Sequence, residues 1–353
     1  MELDLEDARL RYLHSFSPED HERLPFYSAL MRALEGDELA REILAGVAIE
    51  QRNPMLVLGA LHLAALRGHP VLAPIYDAAR GGRLSDASTA AQTVLSVVHD
   101  DPALVRGELH RFTQTNEPGR SAVLQAVIAR VAHGRDRAIN LIDVGTSAGI
   151  NLHFDQFPVR SIDDANPLTL VCQDLAGVDR SLPLPDVRTR IGIDLSPLDL
   201  ADDDDRLWLK ACLWPEEERR HDRLDAIIDA RSSWPNSTVL EGHALDCLHE
   251  AFELGDRHHL TVVISTWVAA YFSKQDQAAY FDEMVRRCQS DNVAWVSIES
   301  PFVVDWPAPS GEGEPPRRGG SQILATVPGG PPAPWGWCHP HGHWLWMEVA
   351  SSE

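Results

Sequence analysis

The sequence lacks any apolar run approaching the ~20 residues that a membrane-spanning helix needs, so no helical span is expected. It also lacks the basic n-region and apolar h-region of a secretory signal. The start, MELDLEDARLRYLHSF, is acidic and amphipathic, so export is not expected. Cysteine is sparse: Cys172, Cys212, Cys247, Cys288 and Cys338 make an odd count with no CxxC pair. That excludes a disulfide framework and implies reduced thiols in a cytoplasmic protein. Basic residues are also in the minority, 31 against 53 acidic, for a net charge of −22. Nucleic-acid affinity rests on neutralising phosphates, so nucleic acid and anionic membranes are disfavoured as partners. A small-molecule substrate fits better. Oligomeric state is left open.

What is present suits a globular protein: 353 residues, 44% hydrophobic and 24% charged. Residues 1–135 read as helices that form a cap or bundle. Leu39, Ile43, Leu44 and Val47 make one helical stripe, and Val123, Leu124, Val127, Ile128 and Val131 another. Pro54 opens an apolar helix through Leu66, with Gly68 just past its end.

From residue 136 to 353 the character changes. Short branched-apolar runs at 138–144, 189–195, 237–241, 260–266 and 293–299 are separated by helical patterns, including 205–213, 220–230 and 275–287. Such alternation implies βαβ units and a doubly wound, mostly parallel sheet. The strand ending at Val144 should lie centrally. Residues 305–320 read as a loop, 322–327 as a strand, 328–340 as a second Pro/Gly loop and 343–349 as a closing strand. The last two strands would make an antiparallel hairpin at the sheet edge.

Asp143-Val144-Gly145-Thr146-Ser147-Ala148-Gly149-Ile150-Asn151-Leu152 is the most informative segment. A strand ends, a glycine turn follows, and a helix is expected from about Ser147, its free amides facing a ligand. A second strand ends at Asp194, where an acid accepts hydrogen bonds from ribose hydroxyls. Its distance exceeds the usual ~20 residues, which implies an insertion between Phe154 and Val187. A third strand runs into Gly242-His243-Ala244. Ordinary turn chemistry is the plain alternative. The rival reading is a G-x-S-x-G nucleophile elbow at Ser147, with Asp305 and His341 in the required order. It wants strands before the elbow, where the pattern is helical.

Gln114-Thr115-Asn116-Glu117, with Gly119 and Arg120, has two readings. One is a helix start capped by Thr115 or Asn116. The other is a substrate-facing loop in which Gln114 and Asn116 bind and Arg120 holds a carboxylate or phosphate. Cys338-His339-Pro340-His341-Gly342-His343 lacks the paired spacing of a zinc site and reads as a polar turn, so no metal is expected. Asp202 to Asp205 reads as a solvated helix start, and Trp208, Leu209, Leu213 and Trp214 as core.

At several of these residues the chain resembles a bacterial family known as domain of unknown function 2332. The resemblance spans nearly the whole length. It rests on 114–117 with Arg120, 145–152, Gly192-Ile193-Asp194 with Pro197, Trp208-Leu209, Trp214-Pro215, Gly342 and Trp346. The second half is similar to class I S-adenosylmethionine-dependent methyltransferases. That resemblance implies a Rossmann-like domain and S-adenosylmethionine as cofactor. It puts Asp143, Gly145 and Gly149 in the first motif, Asp194 at the second strand end and His243 near the adenine. Two departures stand out: Ser147 replaces the middle glycine, and His243 is not acidic. The expected cofactor contacts are Asp143, Gly145, Thr146, Ser147, Gly149, Asn151, Asp194, Leu195, His243, Ala244 and Thr266. Glu117 and Tyr271 are the candidate bases for methyl transfer to a small acceptor. A nucleoside-binding protein without turnover is the alternative.

Overall fold

The computed structural model describes residues 4–14, 22–49, 51–135, 137–162, 165–301, 303–304 and 319–348. Asp305, and Val349 at the end of the closing strand, lie outside the described residues. No described helix is long and apolar enough to cross a membrane. The chain groups into two units. One joins residues up to 115 with 199–228, and the other joins 116–198 with 229–353. This grouping differs from a division at residue 135. The helix over 120–132 clusters with the sheet, and a later segment clusters with the N-terminal helices.

The first unit is helical: α1 Leu5–His14, α2 Pro25–Gly36, α3 Glu38–Ala45, α4 Pro54–Leu66, α5 Leu72–Arg80, α6 Ala87–Asp100 and α7 Ala103–Arg106, then α9 Asp203–Ala211 and most of α10 Glu218–Ala230. Helix starts follow from side-chain caps. Asp37 accepts from Ala40 N, Asn53 from Met55 N, and Asp86 from Ser88 and Thr89 N. Asp202 caps α9 on Asp204 and Asp205 N, as the acidic run implied. Leu30, Leu34, Leu44, Leu58, Leu61, Val94 and Val98 form the core. Each fully buried side chain of this size contributes ~1.5–3 kcal/mol before entropy is counted. The 199–228 segment is held by named bonds. Trp208 Nε1 donates to Phe112 O at 2.9 Å, and His62 Nδ1 lies 3.1 Å from the carbonyls of Ala211 and Leu213.

The second unit is a mixed α/β layer. Helix α8 is Arg120–Ala132. The strands are β1 Ala138–Val144, β2 Val159–Arg160, β3 Leu170–Val171, β4 Gln173–Ala176, β5 Asp186–Asp194, β6 Thr238–Glu241, β7 Leu260–Thr266, β8 Val293–Glu299, β9 Ser321–Thr326, β10 Ala333–Cys338 and β11 Trp344–Met347. Helices α11 Ala244–Leu254 and α12 Lys274–Ser290 complete it. The nine-stranded sheet has the order β4-β11-β10-β9-β8-β7-β1-β5-β6. β8, β7, β1, β5 and β6 run parallel, with β1 central among them. Every residue of β1, β7 and β8 is buried, which is why these strands read as unbroken apolar runs.

The C-terminal part differs from the expected hairpin. Residues 333–338 form a strand where the sequence suggested a loop, and β10 pairs antiparallel with both β9 and β11. Pro334 and Gly336 read as breakers, yet the ladder absorbs them at a register shift between these two residues. Gly336 is required there, because a Cβ would stand 2.1 Å from Trp346 O. The sheet edge is β4, from the segment inserted after β1, which pairs parallel with β11.

Candidate functional site

Parallel strands end on one side of a sheet, and that side gathers chemistry here: Asp143 near the end of β1, Asp194 on β5, Glu241 on β6, Thr266 on β7 and Glu299 on β8. Chain order reverses between β1 and β7, so this is the switch point where open α/β sheets bind ligands. Apart from glycines, only Ser147 (φ 55°) and Trp267 (φ 58°) adopt left-handed backbone among the described residues. They follow those two neighbouring strands. Strain of this kind persists only where surrounding bonds hold it, and it clusters at functional sites.

The bonds that hold it are clear. Ser147 N donates to Asp194 Oδ2 at 2.7 Å, and Ser196 N to Asp194 Oδ1 at 2.9 Å. Asn116 Nδ2 donates to Thr146 O at 3.2 Å while its Oδ1 accepts Ile150 N at 3.1 Å, closing the turn from the other side. Ser121 Oγ donates to Asn151 Oδ1 at 3.0 Å. Gly149 turns at φ 74°. Gly145, at φ 79°, has no room for a side chain, since a Cβ would meet Val268 Cγ2 at 2.5 Å. Gly192 gives way to Thr146 in the same manner, at 2.5 Å. The turn after β7 has its own clamp. Glu299 Oε1 accepts the amides of Val268 and Ala269 at 3.0 and 3.1 Å.

The helix expected from Ser147 is absent. Residues 150–156 form a 3-10 helix, kinked at His153, and 147–149 are turn. Asp194 and Asn116 take the amides of Ser147 and Ile150 that an α-helical N-terminus would leave open. The cap expected for α8 also differs. Gly119 is the N-cap residue with no side-chain bond, while Glu117 Oε1 accepts Gly119 N at 2.9 Å.

Arg120 is buried within this network. Its Nε donates to Pro340 O at 3.0 Å, and its Nη1 to Thr266 O at 3.1 Å. Burial lowers its pKa, opposed by Glu117, Glu299 and Tyr271. Asp143 is buried, with Oδ2 accepting Thr146 Oγ1 at 3.0 Å and Oδ1 lacking a hydrogen-bond partner. Burial pushes it up to about 7, with Asp194 adding and the Thr146 hydroxyl opposing. Burial also raises Glu299 to about 7, against the amides of Ala269 and Val268 and the Arg120 charge. The Ser147 hydroxyl is likewise buried, with no hydrogen-bond partner among the described residues.

The remaining sequence candidates separate. Ala244 opens α11, and His243 precedes it, its ring 5.9 Å from that of Phe272. Leu195 and Tyr271 are about half exposed. Gln114 belongs to the helical unit, where its backbone N–H donates to Cys212 Sγ at 3.5 Å. The residues 339, 341 and 343 bring three imidazoles together, yet no group of three metal-ligating side chains with suitable geometry exists among the described residues. Sequence reasoning missed Glu299, Val268 and Trp267. One signal was available: Glu299 closes an apolar strand with a carboxylate, as Asp194 does.

Residues 11–346 match a family described as an uncharacterized protein conserved in bacteria, DUF2332. Among curated proteins none matches the chain.

Proposed function

We propose that this chain, which belongs to that bacterial family, is an S-adenosylmethionine-dependent methyltransferase acting on a small molecule through a Rossmann-like domain. The supporting observation is the switch point itself. In chain order the five parallel strands lie 3-2-1-4-5, the order of doubly wound nucleotide folds, with a glycine turn after the first and an aspartate ending the second. The antiparallel β9 beside β8 departs from an all-parallel sheet.

The residues fit such a ligand by two tests. Asp143 Oδ1 and Ser147 Oγ are buried polar atoms without partners, and buried groups of this kind call for a ligand or water. Each oxygen of Asp194 takes one backbone amide, leaving acceptor capacity on both for ribose hydroxyls. Bound S-adenosylmethionine supplies an already electrophilic methyl group, so the protein's work is to bind, align and exclude water. Tyr271 is the solvent-reachable candidate base, whereas Glu117 is buried and holds the Gly119 amide.

A second reading, nucleoside binding without turnover, is favoured by Asn116, whose amide bonds to backbone groups at both ends, and by Arg120, whose Nε and Nη1 donate to backbone carbonyls. Calorimetry with S-adenosylmethionine and S-adenosylhomocysteine, then a labelled-methyl assay on cell extract, separates the readings. Binding with transfer supports the first and binding alone the second. Absence of binding rejects both. Fluorophosphonate labelling of Ser147 would instead favour a hydrolase.

A further inference from the structure

Two of the site's carboxyl groups lie beneath its surface. Asp143 and Glu299 come from β1 and β8, the two strands that flank β7, and each is no more than 2% exposed. Asp143 Oδ1 and Glu299 Oε2 have no hydrogen-bond partner. A single guanidinium, Arg120, acts on both, and it is also shared with Glu117. Tyr280 of α12 faces both carboxyls, Asp194 faces Asp143, and Tyr271 and Cys338 face the arginine. Among the described residues these acidic groups outnumber the Arg120 cation, and burial disfavours ionising them all.

Resting on the reading above, we propose that this edge takes a ligand bearing a fixed positive charge, such as a sulfonium, and that Asp143 and Glu299 release protons when it binds. A nearby cation favours the ionised form of each carboxyl, so binding and deprotonation are linked. Both groups are held near neutral pH by burial. The linkage therefore operates in the physiological range, and affinity for the cation rises up to about tenfold per pH unit for each group below pH ~7.

The test compares S-adenosylmethionine with S-adenosylhomocysteine, which lacks the sulfonium charge. Calorimetry in buffers of different ionisation enthalpy counts protons. At pH 6.5 the sulfonium should release on the order of one proton more than the thioether, and at pH 8.5 the excess should vanish. Asp143→Asn and Glu299→Gln should each remove part of the pH 6.5 excess, which separates it from the ligands' own ionisation. If either variant fails to fold, the wild-type comparison at the two pH values decides. Equal release by both ligands overturns the inference and leaves nucleoside binding standing. An excess that persists in both variants overturns it as well. If neither ligand binds, the inference falls together with the reading beneath it.

Discussion

The Asp194 carboxylate accepts the Ser147 amide at 2.7 Å, tying the end of β5 to the strained turn that follows β1. The residue proposed to hold a ribose is thus also part of the scaffold. Asp194→Ala should lower affinity for S-adenosylhomocysteine about tenfold or more, the effect of losing ~1.5–3 kcal/mol in charge-assisted bonds. It should also lower the melting temperature, because two backbone amides lose their acceptor. Asp194→Asn, keeping one acceptor oxygen, should fall between. Calorimetry and thermal melts on the same samples check both effects.

Asn116 closes the opposite side of that turn with both ends of its amide. Asn116→Ala leaves a buried donor and a buried acceptor unpaired, at ~1–3 kcal/mol each. Urea unfolding should show a midpoint well below wild type. An unchanged midpoint would mean that water or a neighbour replaces the side chain.

Gly145 and Val268 meet across the switch point. Gly145→Ala should cost ~1–2 kcal/mol for left-handed backbone and a further ~1–3 kcal/mol for overpacking. Val268→Ala in the same chain should recover only part of the packing cost, since its remaining Cβ still stands 2.7 Å from the added methyl, and leave the backbone part. A double-mutant cycle by urea unfolding measures this coupling. Strict additivity would contradict the contact.

In the helical unit, Glu216 takes the amide of Phe26 at 2.6 Å at the start of α2, and burial raises its pKa to about 7. The folded state then binds a proton that the unfolded chain, with an ordinary carboxyl pKa, releases from pH ~4.5 upward. This group's contribution to stability therefore falls as pH rises from about 4.5 to about 7 and is level above. Glu216→Gln should remove that slope, so its stability relative to wild type should improve between pH 5 and 8. His62 and His221, held down by burial to about 3 and about 4, act the opposite way and lower stability as pH falls below ~6.5. They are present in both proteins and cancel from the comparison.

The legible parts of the fold were those carried by uninterrupted local pattern. β7 and β8 have the ends that the apolar runs marked, and α4 runs from Pro54 to Leu66 as its terminal signals implied. Elements decided by long-range pairing were not legible. β10 contains Pro334 and Gly336 and exists because β9 and β11 flank it, while β4 and β11 join residues 170 apart or more. At the site, Asp143, Gly145 and Asp194 stood out because a carboxylate or glycine at a strand end is a local feature. The tasks of Asn116 and Glu299 were hidden, since each bonds to backbone about 30 residues away. A polar side chain meant for a ligand and one meant for a distant amide look the same in sequence.

In the function proposed above, the C-terminal ends of β1, β5 and β7 form a nucleoside site. Hydrogen–deuterium exchange with and without S-adenosylhomocysteine tests it most directly, since it reports where a ligand acts. Added protection is expected in residues 143–151, 194–198 and 266–271, with the helical core around Leu58 and Leu61 unchanged. Protection confined to other segments, or no change at saturating ligand, would contradict it.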